Sequence, residues 1–488
     1  MAELRVVAAL RIEGLAVGGR VQVIGMGPRR AAAATLRVAD GPVAVAMVGV
    51  AGGVADGVVA GQVVVASELR TLDGCVRPLP SAELAAAALE RAGCPVRLGP
   101  VVSIPRFARP GERAALGEGG VLAADMESAW FADTLGDTPL VVVRTVADSL
   151  TGGPILGGIR ALRALRQVRP ALEAWAAAVA PRRIELAAPR SFCAGVERAI
   201  EIVERAIDRF GAPVFVRRQI VHNAHVVADL EARGAVFVQE LDEVPDGATV
   251  VLAAHGVSPQ VRASAAARPD LSVIDATCPL VAKVHHEARR FAAQGRRIVL
   301  IGHAEHEEVV GTLGEVPGGI DLVESPADIA ELPYDAETPV AYLTQTTLAV
   351  DEAAEVISAL RDRFEGIVGP SANDICYASQ NRQDAVRALA GRCDLVLVVG
   401  SANSSNTARL VEVVRREGGR AELVEDASHL RLEWLEGAEV VGITAGASAP
   451  ESLVQEIVDA LGGLGPTAVA EHRTVEETVH FSLPQQVR

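Results

Sequence analysis

Three cysteines, Cys193, Cys278 and Cys376, lie 85 and 98 residues apart, each where an apolar strand-like run gives way to a stretch with helical patterning. The recurrence predicts three similar α/β units whose strand ends converge, each delivering one thiolate to a common centre. Three thiolates around a metal leave one coordination position open, which suits reaction rather than structure. No Cys-x-x-Cys pair occurs, so zinc-finger and thioredoxin chemistry lose their usual carrier. A cysteine just ahead of a helix meets the positive end of the helix dipole, so a lowered pKa and a standing thiolate are expected. Thiolates suit zinc and iron–sulfur clusters. Taken singly, each cysteine reads equally well as a small buried hydrophobe, and only the shared setting selects the set. Cys393, opening an apolar run, and Cys75 and Cys94, with no partner pattern, read as structural.

Short polar segments recur at other strand ends: Val221-His-Asn223, Ala254-His-Gly256, Gly302-His-Ala-Glu-His-Glu-Glu308, Thr344-Gln-Thr-Thr347, Ser404-Ser-Asn406 and Thr444-Ala-Gly-Ala-Ser448. Hydroxyls, an amide and free helix N–H groups make an anion cradle at Ser404-Ser-Asn406 and at Ser448. His222 and His255 add charge-assisted donors for a phosphate. The competing reading is plain helix capping for Ser404-Ser-Asn406, and hydrogen-bonded loop or core positions for the histidines.

The elements that position these residues alternate strand and helix, which implies an α/β fold with parallel sheets and ligands at the strands' C-terminal ends. A boundary is expected at the Pro181–Arg183 segment. Before it, residues 1–180 alternate short Val/Ala strands with Gly-rich turns and finish in a helical stretch, Ile159–Val179. After it, residues 184–485 divide at about 184–275, 276–373 and 374–462, followed by a polar C-terminal tail, Gly463–Arg488, expected to lie along the surface. Half of the 488 residues are apolar, only 3% are aromatic and the formal charge is −16, which leaves little for stacking or backbone binding of nucleic acid. Gly41–Ala55 is uncharged but bounded by Asp40 and Asp56. It falls short of the about 20 residues a membrane span needs, so a buried pair of strands is expected there. With no secretory signal pattern, a reducing, cytoplasmic setting is expected.

Residues 184–485 resemble the LytB-type 4-hydroxy-3-methylbut-2-enyl diphosphate reductases. The likeness rests on the polar segments above together with Pro189-Arg-Ser-Phe-Cys-Ala-Gly-Val196, Asp275-Ala-Thr-Cys-Pro-Leu280, Asp374-Ile-Cys-Tyr-Ala378 and Asn381-Arg-Gln383. The resemblance implies a [4Fe–4S] cluster on Cys193, Cys278 and Cys376, and an allylic diphosphate substrate. Diphosphate binding falls to His222, His255, Ser404, Ser405, Asn406 and Ser448. Thr346 and Thr347 would order the hydroxyl end, with His306 nearby and Glu308 supplying the proton. An external electron donor such as ferredoxin or flavodoxin is implied. Where the family has proline before that glutamate, this chain has Glu307.

Residues 1–180 resemble nucleoside phosphorylases and nucleosidases through Ala8-Ala-Leu10 with Glu13, Gly25-Met-Gly27, Gly49-Val-Ala-Gly-Gly53 with Val63–Glu68, Ala124-Asp-Met-Glu-Ser-Ala129 and Val143-Arg-Thr-Val-Ala-Asp148. The resemblance implies Met126 and Glu127 on the ribose, Asp148 on the purine and Glu13 on water. The alternative reading of the chain is a nucleoside-processing or anion-binding protein with a structural zinc site, which colour separates from an iron–sulfur protein.

Overall fold

The structure is a computed structural model that describes residues 2–34, 43–117, 119–150 and 154–488. The chain forms two compact units. One comprises Met1–Ile184, Asp426–Val441 and Gln455–Ala470; the other comprises Glu185–Glu425, Gly442–Val454 and Glu471–Arg488.

In the first unit an eight-stranded sheet is built around Val43–Gly53, which runs parallel to Glu3–Ala8 and to Leu140–Asp148. Leu140–Asp148 also pairs with Val63–Thr71, which continues through Val96–Ser103 and Ala123–Asp125 back to Val43–Gly53. Five strands therefore close into a ring. The region expected as a buried pair of strands is one long strand, with residues 41 and 42 outside the described ones. Its Ala44–Val48 run is buried on both faces, so it shows none of the alternation that would reveal a single strand. The helical stretch expected over Ile159–Val179 is two helices, Pro154–Leu165 and Arg169–Ala177. Pro170 stands in the first turn of the second, where its missing N–H is tolerated but could not continue an earlier helix. Two segments distant in sequence complete this unit. Arg91 donates to the carbonyl of Leu430 at 3.3 Å, and the Ala180 N–H donates to the Leu464 carbonyl at 3.1 Å.

The remaining strands form three further sheets. Ala235–Val238, Val214–Arg217, Thr249–Leu252 and Ser272–Asp275 pair in that order, all parallel. Ile320–Val323, Arg297–Ile301 and Val340–Thr344 form a second parallel set. The last sheet runs Ala421–Val424, Leu395–Val399, Val440–Ala445, Arg182–Ala188 and Thr467–Arg473. The strand leading to Cys193 thus sits beside strands from the far end of the sequence, not beside Val214–Arg217 that follows it. Parallel pairing requires crossover helices. One is Ala224–Arg233, between Val214–Arg217 and Ala235–Val238; the helix Ala194–Phe210 instead leads from one sheet to another, with Ala199, Ile202, Val203 and Ala206 clustered with Val214 and Val216. The C-terminal tail does more than lie along the surface, since Val487 is 2% exposed within this same cluster. Among the described residues no helix is long and apolar enough to cross a membrane.

Candidate active site

Cys193, Cys278 and Cys376 are the N-cap residues of the helices Ala194–Phe210, Pro279–Ala293 and Tyr377–Ala390, and all three line one cavity. Cys278 follows the strand Ser272–Asp275 as expected, whereas Cys376 comes off an irregular stretch. It is held there by its N–H on the Thr346 carbonyl at 3.0 Å and by the Ser379 N–H donating to its sulfur at 3.2 Å. Space between the sulfurs depends on Gly195. A Cβ there would lie 2.8 Å from Cys278 Sγ and 3.8 Å from Cys193 Sγ. Among the described residues no three His, Cys, Asp or Glu side chains gather closely enough to hold a single metal ion.

At Cys278 and Cys376 burial works against the expected standing thiolates. Burial pushes Cys278 up to about 12 and Cys376 up to about 11, with the neighbouring cysteines adding to both. Desolvation outweighs the N-cap hydrogen bonds at both thiols. The remaining cysteines divide: Cys94 is buried, as a structural role requires, but Cys75 is exposed.

The same cavity gathers residues from all six polar segments. His222 and His255 stack with centroids 4.2 Å apart, and His306 meets each edge-on at 5.8 Å. Burial lowers all three: His306 falls to about 4, and His255 falls well below the usual imidazole range with His222 and His306 adding to the effect. His255 Nδ1 is buried without a hydrogen-bond partner. An anion entering here would meet three imidazoles able to take up protons.

Glu308 is the second residue of the helix Glu307–Glu315, whose N-cap is His306; the Glu308 N–H donates to His306 Nδ1 at 3.2 Å. Its carboxylate accepts from the Thr346 N–H at 2.7 Å and from Thr346 Oγ1 at 2.8 Å. Burial nevertheless raises it to about 7, against both hydrogen bonds. The carboxyl therefore holds a proton near neutrality and faces the thiols. Glu307 points elsewhere, with Oε1 3.5 Å from Arg218 and Oε2 3.7 Å from His255 Nδ1. The residue that replaces proline is thus tied to Arg218, and Glu308 alone of the two lines the cavity.

Ser404 caps the helix Ser405–Arg416, accepting from Thr407 at 3.4 Å, so the capping reading holds for that residue. Ser448 Oγ donates to the His222 carbonyl at 3.1 Å and lies 3.2 Å from Ser404 Oγ. Thr347 lies 3.0 Å from Ser405 Oγ. Asn406 accepts from the Ala447 N–H at 2.9 Å and donates to Ser379 Oγ at 3.1 Å. Ser379 in turn touches Cys376 Sγ at 3.1 Å. Ser379 and Gln345, which donates to Thr347 Oγ1 at 2.7 Å, were not singled out by the sequence reading, nor was Phe481, which lines the cavity from the tail. Ser379 was findable, since a hydroxyl three residues after an N-cap cysteine reaches its sulfur. Phe481 carries no such signal.

In the first unit a separate cavity is lined by Glu13, Met126, Glu127 and Asp148, the four residues expected there. Glu13 is buried and accepts from the backbone of Leu10 at 2.7 Å and Val50 at 2.8 Å. Glu127 accepts from the Gly27 N–H at 3.0 Å, and burial raises its pKa. Two further residues accompany them: Arg113, 2.5 Å from Asp148, and Asp125, 2.6 Å from the buried Arg144.

Residues 184–462 match the family model described as LytB protein, and residues 12–155 match that of the Phosphorylase superfamily. The 4-hydroxy-3-methylbut-2-enyl diphosphate reductase of Cutibacterium acnes is 55% identical over 308 residues, covering 63% of this chain and 95% of that protein. The reductase of the same name from Acidithiobacillus ferrooxidans is 59% identical over 302 residues, covering 62% and 95%. Among solved structures, the E-1-hydroxy-2-methyl-but-2-enyl-4-diphosphate reductase of Plasmodium falciparum aligns at TM-score 0.61 and 36% identity over 63% of this chain and 97% of that one. With more than half of its length matched, and nearly the whole of each relative spanned, the chain belongs to the LytB protein family, and it carries a phosphorylase-superfamily region ahead of that match.

Proposed function

We propose that the chain is a 4-hydroxy-3-methylbut-2-enyl diphosphate reductase, removing the allylic hydroxyl as water with two electrons and two protons to give isopentenyl and dimethylallyl diphosphate. One observation carries this reading: three N-cap thiols, three packed histidines and a proton-holding carboxyl share a single cavity. Cys193, Cys278 and Cys376 would hold a [4Fe–4S] cluster, which supplies electrons and a Lewis-acidic iron for loss of the hydroxyl. Thiols set around a cavity suit a cluster better than a lone zinc ion, whose ligands sit within about 2.3 Å of it. The three α/β units would then each contribute one thiol. An external donor such as ferredoxin or flavodoxin provides the electrons.

His222, His255 and His306, held toward the neutral form by burial, gain protons as the diphosphate arrives beside them. Ser404, Ser405, Asn406 and Ser448 complete its cradle at the N-terminus of the helix Ser405–Arg416. Glu308 gives the proton, with Thr346 fixing both of its oxygens and Thr347 set beside it toward the hydroxyl end. Its raised pKa keeps the acid form populated at neutral pH, and the low-dielectric cavity makes the transfer local. The test is anaerobic purification with iron and sulfide analysis, then assay on the hydroxy-diphosphate. A colourless, iron-free protein with zinc at one equivalent would replace this reading by the zinc alternative.

For the first 180 residues we infer a nucleoside-binding role, with Met126 and Glu127 on the ribose, Glu13 on water and Asp148 on the base. Glu13, fixed by the backbone N–H groups of Leu10 and Val50, is placed to activate water, and Glu127, raised by burial, lies on the ribose side, which suits an acid-assisted hydrolysis. Release of free base from nucleosides by the purified chain, without phosphate, is the measurement that decides it. The boundary near residues 180–184 belongs to the same reading.

A further inference from the structure

Three cations stand at matching places in the cysteine-capped helices: Arg198 five residues after Cys193, Lys283 five after Cys278 and Arg382 six after Cys376. Each reaches away from its own thiol to the backbone just ahead of the next. Arg198 Nη1 donates to the carbonyls of Ala276 and Thr277 at 3.1 and 3.2 Å, the two residues before Cys278. Lys283 Nζ donates to the carbonyls of Ala372 and Asn373 at 2.7 and 3.0 Å and to Asp374 Oδ1 at 3.0 Å, on the approach to Cys376. Arg382 donates twice to the Ser191 carbonyl, at 3.1 and 2.7 Å, and to the Phe192 carbonyl at 3.1 Å, the two residues before Cys193. The order closes. The first helix holds the second loop, the second holds the third, and the third holds the first.

The physical need is clear. A loop that turns its sulfur into a cavity cannot also pair its backbone in a sheet, so its carbonyls need donors from elsewhere. A guanidinium or ammonium offers several donors from one side chain, and charge makes each bond stronger. Arg382 is fully buried, with its charge met by Glu477 at 3.1 Å, and Asp374 does the same for Lys283. Ser191 sits at φ +58°, a left-handed conformation that a non-glycine residue keeps only when its surroundings impose it. Its carbonyl is the one that Arg382 grips twice.

We infer that Arg198, Lys283 and Arg382 form a closed ring of positioning residues, in which the helix bearing each thiol sets the loop of the next. The inference rests on the proposed function only for what the thiols hold, and its test needs no cluster. The full-length chain, freed of metal by chelation under anaerobic conditions, is pulse-labelled with iodoacetamide, and each cysteine is followed by peptide mass spectrometry. Lys283→Met should raise labelling of Cys376 about tenfold, since charge-assisted bonds to three acceptors are lost from that loop. Cys278, on the helix of Lys283 itself, should change far less, and Lys283→Arg should restore the original pattern. Arg198→Met should act in the same way on Cys278, and Arg382→Met on Cys193. If the buried Arg382 variant fails to fold, the two half-buried positions carry the test. An equal rise at all three cysteines, a rise confined to the cysteine of the mutated helix, or no change overturns the ring. A chain that passes this test yet binds no iron refutes the proposed cofactor and leaves the ring standing.

Discussion

In the cavity lined by the three cysteines, burial drives the ionisable groups toward neutrality: Cys278 to about 12, His306 to about 4 and Glu308 to about 7. In the cavity of the first unit two carboxylates are paired with arginines instead. Arg144 lies 2.6 Å from Asp125 and Arg113 lies 2.5 Å from Asp148, so charge is compensated inside the protein. The first cavity thus holds Cys278, His306 and Glu308 near neutrality by burial. In the second, Asp125 and Asp148 already carry their counterions, and Glu127 alone is raised by burial. This difference says where substitutions should be catastrophic and where they should be graded.

The largest effect is expected at the thiols. Cys278→Ser replaces one of three thiols by a hydroxyl, and both iron content and reductase turnover should fall to background while the fold survives. Circular dichroism checks the fold, and anaerobic iron and sulfide analysis checks the centre. Iron content equal to that of the unaltered chain would remove Cys278 from the site.

Next comes the proton. Glu308→Gln keeps the shape and the Thr346 contacts but delivers no acidic proton, so kcat should drop by roughly 10²–10⁴-fold with iron retained. Glu307→Gln should change little, because that carboxylate faces Arg218 and His255. The pH dependence carries a sign. With Glu308 raised from 4.5 to about 7 by burial, the acid form is populated below 7, so kcat/KM of the free enzyme should fall as pH rises through 7. The folded chain also binds this proton more tightly than the unfolded chain, so stability falls from pH 4.5 to 7 by this group's contribution, and Glu308→Gln removes that slope. A strong loss at Glu307 with none at Glu308 would show that the helix start has shifted.

A smaller, graded effect is expected at the anion end. Asn406 is held between the Ala447 N–H and Ser379 Oγ, so Asn406→Ala removes an amide that is already oriented. KM should rise about tenfold, the equivalent of one charge-assisted bond, with kcat nearly unchanged. Unaltered kinetics would reduce the segment to the helix cap that Ser404 already provides.

Much of this arrangement was legible because its signals are local. A cysteine before Ala-Gly or Pro-Leu reads as a helix start, and the Ser-Ser-Asn and histidine segments stand out against Val-rich strands. What was not legible depends on neighbours far apart in sequence. Burial lifts the Cys278 and Cys376 thiols against the expectation from their N-cap positions, because the helix dipole is local whereas burial is set by the assembled cavity. Gly41–Ala55 reads as two strands because burial on both faces of Val43–Gly53 erases the alternation that marks one. Phe481 sits in a polar tail, and nothing nearby announces that the tail turns inward. Arg198, Lys283 and Arg382 do leave a trace, the near-equal offset from each cysteine, but its meaning requires knowing which loop each side chain meets.

The mildest effect on turnover, and the sharpest separation of the two cavities, should come from a chain beginning at Ala180. Every proposed thiol, diphosphate and proton ligand lies after that point, so this chain should keep its iron and reduce substrate. Its stability should fall, because Asp426–Val441 and Gln455–Ala470 complete the first unit and would lose their partners there. Leu432, Leu435 and Leu461 are at most 3% exposed in the full chain. Each leucine newly open to water costs about 1.5–3 kcal/mol, which a thermal melt would register as a lower Tm. A shortened chain that folds and holds iron but cannot reduce substrate would show that the first 180 residues contribute to the reductase site, and that the two cavities do not work independently.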